Sequence, residues 1–229
     1  MTTLFPTLEF EEYLMLIKER MSSPVITVDP DMPIMQALDL MRKNRIRRVP
    51  VVREGKMVGI ISEGDLLNAA PSDATSLSVW ELNYLIGKIT VKEIMSKDVI
   101  TVSADTPIEE AAYLMDENKI GGLPVMEQGK LVGLITETDL FRIFLELMSA
   151  RQAGVRVTAL VPDVHGELEM LTHAISEAGG EFLSFGTFAG DSSANRIVTF
   201  KVHNLDEETV SKTIAPHVEE IVDIRTCCQ

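Results

Sequence analysis

The same succession of hydrophobic and polar patterns occurs twice along this chain. Each copy begins with a short β-branched run, Val25–Val28 or Val99–Val102, which predicts a strand. Apolar residues then recur three and four positions apart, as they do on one face of an amphipathic helix. Two further apolar runs, separated by a turn that contains glycine, predict a β-hairpin. A last helix begins at Ser62 or Thr136, so each copy is predicted to be a β-α-β-β-α unit.

The two copies align without a gap. A shift of 74 residues places residues 21–67 on residues 95–141, and about half of the aligned positions are identical. Each unit has apolar faces that one copy could scarcely bury alone. We therefore expect the two repeats to pack against each other.

The last third of the chain has a different order of elements. Strand-like and helix-like patterns follow one another as βαββαβ, which is the ferredoxin-like arrangement. The strands are predicted at Val155–Val161, Phe182–Phe188, Ile197–Val202 and Val218–Arg225, and the helices at Glu167–Gly179 and Glu207–His217. The predicted fold class is therefore α/β (α+β), with a tandem repeat pair followed by a ferredoxin-like domain.

These patterns divide the chain into six segments. They are an N-terminal helical segment (1–20), the first repeat (21–70), a linker with a helix (71–94), the second repeat (95–148), a short linker (149–154) and the C-terminal domain (155–229). Short helices are predicted at Leu8–Glu19 and Val79–Ile89, and a polar loop at Pro71–Ser78. We expect both helices to cover the paired repeats.

The motifs in each repeat carry a resemblance to a known family. Both copies contain VxTV, then PVV or PVM, and close on G-x-x-V-G-[I/L]-I-[S/T]-x-x-D-L. These motifs resemble the CBS domain, a module that occurs in tandem pairs, and the resemblance implies a complete pair between Met21 and Leu145. The C-terminal stretch VTALVPDVHGELEMLTHAISEAGGEFLSF is similar to an ACT domain. The whole order resembles the acetoin-utilisation accessory (AcuB-like) family.

Composition and charge limit the classes of function. The 229 residues carry a net charge of −14 at pH 7, which argues against binding to nucleic acid or to an anionic membrane. No apolar run is long enough to span a bilayer, and the acidic N-terminus resembles neither a secretory signal nor a transit peptide. Cys227 and Cys228 are adjacent and cannot cross-link the fold. We therefore expect a cytoplasmic protein with reduced cysteines.

Each repeat closes on a Ser/Thr-x-x-Asp motif, formed by Ser62 with Asp65 and by Thr136 with Asp139. Such a motif is typical of a helix capping box, in which the carboxylate also lies at the favourable end of the helix dipole. Capping alone explains both pairs. The resemblance to CBS pairs implies a second role, because in that family this aspartate binds the ribose hydroxyls of an adenosine ligand, in a cleft between the two modules.

The same resemblance implies further ligand contacts. Thr27 and Thr101 correspond to the segment that lines the base pocket, although a threonine in a strand needs no functional explanation. Ile46 and Ile120 would pack against the base.

A cluster of basic residues distinguishes the two repeats. The positions that reach toward phosphate in the family are Asn44, Arg45, Arg47 and Arg48 in the first repeat, and Asn118, Lys119, Gly121 and Gly122 in the second. Guanidinium groups form forked, charge-assisted hydrogen bonds with phosphate. We therefore expect the cleft that the arginines reach to take a multiply phosphorylated adenine nucleotide, and the other cleft to take a less anionic ligand or none. The alternative is that these arginines pair with surface carboxylates.

In the C-terminal segment, the turn after the first predicted strand contains Asp163, His165 and Gly166. The resemblance to ACT domains implies a small-ligand site there, usually for an amino acid, since glycine lets the backbone approach a ligand and free helix N–H groups suit a carboxylate. The alternative is that this domain only dimerises. The other histidines lack metal-ligand spacing and no catalytic motif is present, so we expect neither a metal site nor an enzyme.

The sequence therefore predicts a non-catalytic regulatory sensor. The paired repeats would bind AMP, ADP or ATP, with or without Mg²⁺, or a related adenosyl ligand such as S-adenosylmethionine, and no cofactor is required. We expect a homodimer formed through the repeats or the ACT-like domain, and a regulated partner protein. The family resemblance implies a role in the control of acetoin or acetate metabolism. The alternative is a structural dimerisation module with no obligatory ligand.

Overall fold

A computed structural model describes residues 15–69 and 87–227 of the chain. The chain divides into two compact units, residues 1–140 and residues 141–229. The predicted loop at Pro71–Ser78 and most of the predicted helices at Leu8–Glu19 and Val79–Ile89 lie outside the described residues. Within these two predicted helices, the structure describes residues 15–16 and 87–89, and they are not helical.

The N-terminal unit contains both repeats, and their helices and hairpins are confirmed. A short helix precedes the longer helices and the hairpin of each repeat. Helix α1 (Ile17–Arg20) comes before the first repeat's elements, and helix α4 (Val91–Ile94) comes before the second repeat's elements. The first repeat consists of α2 (Ile34–Asn44), β1 (Arg48–Arg53), β2 (Lys56–Ser62) and α3 (Glu63–Asn68). The second consists of α5 (Ile108–Asn118), β3 (Gly122–Glu127), β4 (Lys130–Thr136) and α6 (Glu137–Leu147). Helix α6 continues past residue 140, where the two units divide.

The predicted leading strands at Val25–Val28 and Val99–Val102 are wrong. Each segment is extended but makes only one isolated parallel bridge, from Val28 to Val51 and from Val102 to Val125. The amide of the bridging valine and its carbonyl are both used by the hairpin, since Val28 donates to the carbonyl of Pro50 and accepts from the amide of Val52. The residues before the bridge therefore have no strand partner.

The hairpin turns follow from their sequence. Glu54 and Gly55 both have positive φ, at 51° and 77°, and Gln128 and Gly129 have nearly the same values, 48° and 76°. Two successive residues in this conformation are typical of a type I′ turn, the connection that best matches the twist of a two-residue hairpin, and glycine adopts it without strain. The predicted antiparallel return of each strand is thereby confirmed.

The two repeats exchange their leading segments. Residues 15–22 precede the first repeat, yet Ile17 is fully buried in the hydrophobic core of the second. Residues 89–96 precede the second repeat, and Val91 is fully buried in the core of the first. Neither core is complete without the segment that belongs, by sequence, to the other repeat.

Backbone hydrogen bonds fix this exchange at equivalent positions of the two repeats. The amide of Ser22 donates to the carbonyl of Leu134 over 2.9 Å, and the amide of Ser96 donates to the carbonyl of Ile60 over 2.9 Å. Each of these contacts is one half of an antiparallel bridge between a leading segment and the other repeat's hairpin. The hairpins therefore gain a third partner strand at one residue each.

A glycine in each hairpin makes room for the exchanged segment. A Cβ atom at Gly59 would lie 2.7 Å from both the Sδ atom of Met95 and the carbonyl oxygen of Ser96, and one at Gly133 would lie 2.0 Å from Sδ of Met21. Neither glycine has a positive φ. The close approach of the exchanged segment, rather than the backbone conformation, therefore favours glycine at these two positions.

The C-terminal unit has the predicted βαββαβ order. Its elements are β5 (Gly154–Pro162), α7 (Glu167–Glu177), β6 (Glu181–Ala189), β7 (Asn195–His203), α8 (Glu207–Ile214), a 3₁₀ turn (Ala215–His217) and β8 (Glu220–Cys227). The strands form one antiparallel sheet in the order β6-β7-β5-β8. Alternate residues of β5, from Val155 to Val161, are buried against both helices.

The opposite face of this sheet holds a buried lysine. Lys201, near the end of β7, is 4% exposed, and its Nζ atom donates to the carbonyls of Ser149 over 2.9 Å and of Gln152 over 3.2 Å. These carbonyls follow the last turn of α6, where a cation is favoured by the helix dipole. The hydroxyl of Ser149 donates in turn to the carbonyl of Leu183 on β6. The end of α6 is thereby tied to the sheet.

Gly59→Ala is expected to lower the free energy of unfolding of the N-terminal unit by about 1–3 kcal/mol, as overpacking does in other cores. The new methyl group would meet a backbone oxygen of Ser96, which cannot rotate away. Gly133→Ala should cost less, because its nearest atoms all belong to the flexible side chain of Met21. Urea unfolding followed by circular dichroism measures both changes.

Gly64→Ala is the control for this prediction. Gly64 lies in helix α3, and the atom nearest to the position that an alanine methyl group would take there is 3.6 Å away, at ordinary contact distance. Alanine there should be neutral or stabilise by up to about 1 kcal/mol. A Gly59→Ala protein with the midpoint of the wild type would contradict the packing described here.

Candidate functional site

The two Ser/Thr-x-x-Asp motifs begin helices at equivalent places. At the first, the amide and the hydroxyl of Ser62 both donate to Oδ2 of Asp65, over 2.8 and 2.7 Å, and the amide of Asp65 donates back to the Ser62 hydroxyl oxygen over 3.2 Å. At the second, the amide and the hydroxyl of Thr136 donate to Oδ2 of Asp139 over 3.0 and 2.6 Å. The strand therefore passes directly into a capped helix in both repeats. We call these the first and the second half-site.

Capping uses only one oxygen of the Asp65 carboxylate. All of its described hydrogen bonds reach Oδ2, and Oδ1 accepts none from residues 15–69 or 87–227. An ionised carboxylate has about four lone-pair positions, so one oxygen can close the cap while the other binds a ligand hydroxyl. The two roles considered for this residue are compatible.

The first half-site opens into a cleft of about 370 Å³ between the two repeats, which we call the Asp65 cleft. Its volume lies within the range of small-molecule sites. The first repeat contributes Arg48, Ile60, Ile61, Ser62 and Asp65, and the second contributes Asn118, Lys119, Ile120, Gly121 and Gly122 together with Ser96, Asp98, Val99 and Ile100. Both repeats contribute apolar side chains as well as charged and hydroxyl groups to the cleft.

The structure brings together five of the side chains singled out in the sequence, Ser62, Asp65, Arg48, Lys119 and Ile120. Their arrangement combines the half-site of one repeat with the apolar segment and helix end of the other. Sequence reasoning missed Val99 and Ile100, whose only signal was their place beside Thr101 in the repeated VITV run. The extended segment before the isolated bridge supplies these two residues.

Four other predicted residues lie apart from this cleft. Thr27 and Thr101 are exposed and do not line it, and Ile46 is half-buried against the core of the first repeat. Arg45 ends helix α2 in the left-handed conformation, with φ at 54°, and Lys119 ends α5 in the same way, with φ at 53°. The two basic residues at positions 45 and 119 are therefore equivalent helix caps.

Arg48 lies across the boundary between the repeats. A Cβ atom at Gly121 would lie 2.0 Å from its Nη2 atom, and one at Gly122 would lie 3.3 Å from its Cδ atom. The two glycines thus form the surface on which the Arg48 side chain rests. Nη2 is 3.8 Å from Oε2 of Glu137, the first residue of α6.

Arg47 reaches the second half-site instead. Its Nη2 atom donates to the hydroxyl of Thr138 over 3.1 Å. Thr138 lies between Thr136 and Asp139 in the capped turn that begins α6. Both neighbouring arginines of the first repeat therefore lie close to the capped turn of α6, and Arg48 also lines the Asp65 cleft.

The predicted turn of the C-terminal unit lines a separate pocket of about 350 Å³. Asp163, His165 and Gly166 lie in it together, with Gly166 at φ 90° directly before α7. The guanidinium of Arg196 is already paired with the carboxylate of Asp163. Glu167 in the same pocket is buried. The charge in this pocket is thus mainly acidic, which suits an ammonium group better than a carboxylate.

Neither a metal site nor a membrane span is found in the described part of the chain. Within residues 15–69 and 87–227, no group of three histidine, cysteine, aspartate or glutamate side chains is arranged to hold a metal ion. In the same ranges, no helix has the length and apolar character needed to cross a membrane.

The chain is similar to proteins of the CBS domain family. The family profile matches residues 17–72 and 91–146. A CBS domain-containing protein of Dictyostelium discoideum is 32% identical over 135 residues, which cover 58% of this chain and 93% of that protein. L-aspartate semialdehyde sulfurtransferase of Methanocaldococcus jannaschii is 34% identical over 131 residues, which cover 56% of this chain and 23% of that enzyme. The chain therefore spans about a quarter of the enzyme's length.

Two solved structures are similar to more than half of the chain. A Vibrio cholerae protein assigned by name to acetoin utilization (AcuB) has a TM-score of 0.50 and 31% identity, and the match covers 59% of this chain and 94% of that one. The CBS domain pair of protein MJ0100, solved with 5′-methylthioadenosine and S-adenosyl-L-methionine, has a TM-score of 0.47 and 33% identity, covering 56% of this chain and 98% of that one.

Ser62→Ala is expected to destabilise the N-terminal unit by about 0.5–2 kcal/mol, the usual cost of removing a helix cap. The alanine methyl cannot accept from the amide of Asp65 or donate to its carboxylate. Urea unfolding measures the change. Ser62→Thr is the matched control, since Thr136 closes the equivalent cap in the second repeat. Equal loss of stability in the two variants would contradict the capping role.

Proposed function

Because the chain belongs to the family of CBS domain proteins, we propose that it is a cytosolic, non-catalytic sensor that binds an adenine nucleotide or a related adenosyl ligand in the Asp65 cleft. AMP, ADP, ATP and S-adenosylmethionine are the ligands of this class. CBS pairs are regulatory modules, so binding here would be read by another protein or by a second copy of the chain. The observation that carries the proposal is Asp65, which lines the cleft together with apolar side chains and uses only Oδ2 in its described hydrogen bonds.

Each part of an adenosine ligand has a complementary group in the cleft. Val99, Ile100 and Ile120 supply an apolar surface for the flat base. Asp65 accepts hydrogen bonds from the ribose hydroxyls through Oδ1. Arg48 provides a guanidinium for a phosphate or a carboxylate, with charge-assisted hydrogen bonds.

We extend the proposal to the second half-site, with a different ligand preference. Arg47 is bound to the Thr138 hydroxyl there, and Asp139 closes the cap. Thr27, Ile46 and Arg45 are equivalent by the repeat to residues in or beside the Asp65 cleft. What supports a difference between the sites is that Arg48 lines the Asp65 cleft, whereas Arg47 does not line it and binds Thr138 in the second half-site.

For the C-terminal unit we propose dimerisation or the binding of a small amine. The ferredoxin-like order of strands and the pocket at Asp163, His165 and Gly166 support this assignment to an ACT-like role. The acidic charge of that pocket favours the ammonium end of an amino acid as the group that it contacts first. The similarity to the AcuB structure supports a link to acetoin utilisation.

A structural dimerisation module is the second candidate function. Helix α6 exposes Phe141, Phe144 and Leu147 by 61%, 53% and 58%, on one side of the helix. The two phenyl rings stack with their centroids 6.4 Å apart. Such an exposed apolar stripe favours a protein partner. It is compatible with a ligand in the Asp65 cleft, so the test must measure ligand binding directly.

Thermal unfolding with adenosine, AMP, ADP, ATP, S-adenosylmethionine and 5′-methylthioadenosine tests the proposal, each with and without Mg²⁺. A ligand that binds only the folded state raises the apparent melting temperature by mass action. We expect at least one of these ligands to do so, and calorimetry then to give its Kd. If none of these ligands raises the melting temperature at millimolar concentration, the proposed ligand sensor is contradicted. The structural dimerisation module then remains as the candidate function.

Asp65→Asn locates the site within the molecule. The change keeps the size of the side chain but removes the negative charge that binds two hydroxyls, so we expect the Kd to rise about tenfold or more, the cost of a lost charged hydrogen bond. Asp39→Asn on the exposed face of α2 is the control and should leave the Kd unchanged. Equal affinity of the Asp65 variant and the wild type would place the ligand elsewhere.

A further inference from the structure

A charged side chain of the protein itself stands next to the arginine of the Asp65 cleft. We propose that Glu137 is an internal anion that competes with the phosphate of a ligand for Arg48 and so sets the preference of the cleft between charged and neutral adenosine ligands. This inference rests on the proposed function of the cleft and adds a residue that determines its specificity. It also links the cleft to the second half-site, in which Glu137 lies.

Arg48 lies beside the first half-site. It begins β1 directly opposite Ser62 in the hairpin, so the guanidinium starts beside the first half-site and extends toward the second repeat. Its side chain is 26% exposed. Within residues 15–69 and 87–227, the guanidinium donates no hydrogen bond. Arg48 is thus partly desolvated and still has its donors available.

A pair of glycines lies beneath the Arg48 side chain. Gly121 and Gly122 occupy the positions that Arg47 and Arg48 hold in the first repeat, 74 residues earlier. Neither has a positive φ, so the backbone does not demand glycine. A Cβ atom at Gly121 would instead meet the guanidinium of Arg48, which would have to move from its position. Glycine at both positions therefore leaves room for the Arg48 side chain between the repeats.

The ion pair between Arg48 and Glu137 is a loose one. The separation of 3.8 Å between Nη2 of Arg48 and Oε2 of Glu137 is longer than a hydrogen bond, and the Glu137 side chain is 61% exposed. Exposed pairs of this kind contribute little. Glu137 thus offsets the charge of Arg48 without occupying its donors. A phosphate, which can accept two hydrogen bonds from a guanidinium, can displace it.

The repeat supplies a matched comparison. Glu63 is the equivalent of Glu137, and their amides bind equivalent carbonyls, Glu63 to Arg47 and Glu137 to Gly121, over 2.8 and 3.2 Å. Their side chains differ, since Glu63 lies 3.9 Å from Arg42, on a helix of its own repeat. Only the glutamate of the second repeat faces the central arginine. Removal of either charge should have the same effect on helix α3 or α6, but only one should change the cleft.

Binding of AMP and of adenosine, measured by calorimetry at low salt, tests this inference. In Glu137→Gln we expect AMP to bind about two- to fivefold more tightly, the range of an exposed ion pair, and adenosine to bind unchanged. Glu63→Gln should leave both affinities as in the wild type. In a double-mutant cycle, Glu137→Gln on an Arg48→Gln background should have no effect on AMP, because the competition is then absent.

The outcomes separate the two proposals. If the wild type and Glu137→Gln bind none of the six ligands named for the thermal unfolding test, the proposed function fails and this inference with it. If they bind one of those ligands but neither AMP nor adenosine, this inference alone is overturned. If the wild type binds adenosine or AMP but Glu137→Gln changes neither the AMP to adenosine ratio nor its salt dependence, the inference alone is overturned. An equal gain in Glu63→Gln would also overturn it, because the effect would then reflect net charge. Unfolding midpoints of the single variants check that each protein is folded.

Discussion

The burial of each leading segment in the opposite repeat is the constraint on which the N-terminal unit depends. Ile17 and Val91 each fill a core that their own repeat does not possess, and the hydrophobic effect stabilises that arrangement in proportion to the area removed from water. Gly59 and Gly133 permit it, because the exchanged methionines lie where a Cβ atom would be. Since the hairpins receive these segments, neither repeat can separate without exposing both cores.

The same exchange builds the Asp65 cleft. Ser96 bonds to Ile60 on β2, so the chain that follows it lies next to the first half-site. Val99 and Ile100 on that chain are therefore presented to Asp65, which belongs to the other repeat. A cleft lined by Asp65 of one repeat and by Val99 and Ile100 beside the other exists only in the pair. This gives a physical reason for the chain to contain the motif twice.

The asymmetry of the pair has two complementary parts. The sequence suggested that the second repeat simply lacks the arginines of the first. In the structure, the glycines that replace them form the surface against which the Arg48 side chain lies between the repeats. The first repeat carries Arg48, and the second carries Gly122 at the equivalent position. A single guanidinium therefore lies between the repeats.

Much of this fold could be predicted because local chemistry determines it. The caps at Ser62 and Thr136 and the turns at Gly55 and Gly129 depend on a few neighbouring residues, and the helices on their apolar spacing. The strands predicted at Val25–Val28 and Val99–Val102 failed because each segment makes only a single bridge, and in the second segment Val99 and Ile100 line the cleft instead. The exchange itself could not be read from the repeat, since two aligned copies carry no signal of which core a segment enters.

The most direct measurement of the central claim is amide hydrogen exchange of the protein with and without AMP. If AMP binds in the Asp65 cleft, exchange should slow at the start of α3, from Ser62 to Asn68, and at Gly121 and Gly122 beneath Arg48. The amides of the C-terminal pocket at Asp163 would serve as the internal reference. No protection at Ser62–Asn68, or protection confined to the C-terminal unit, would contradict the account.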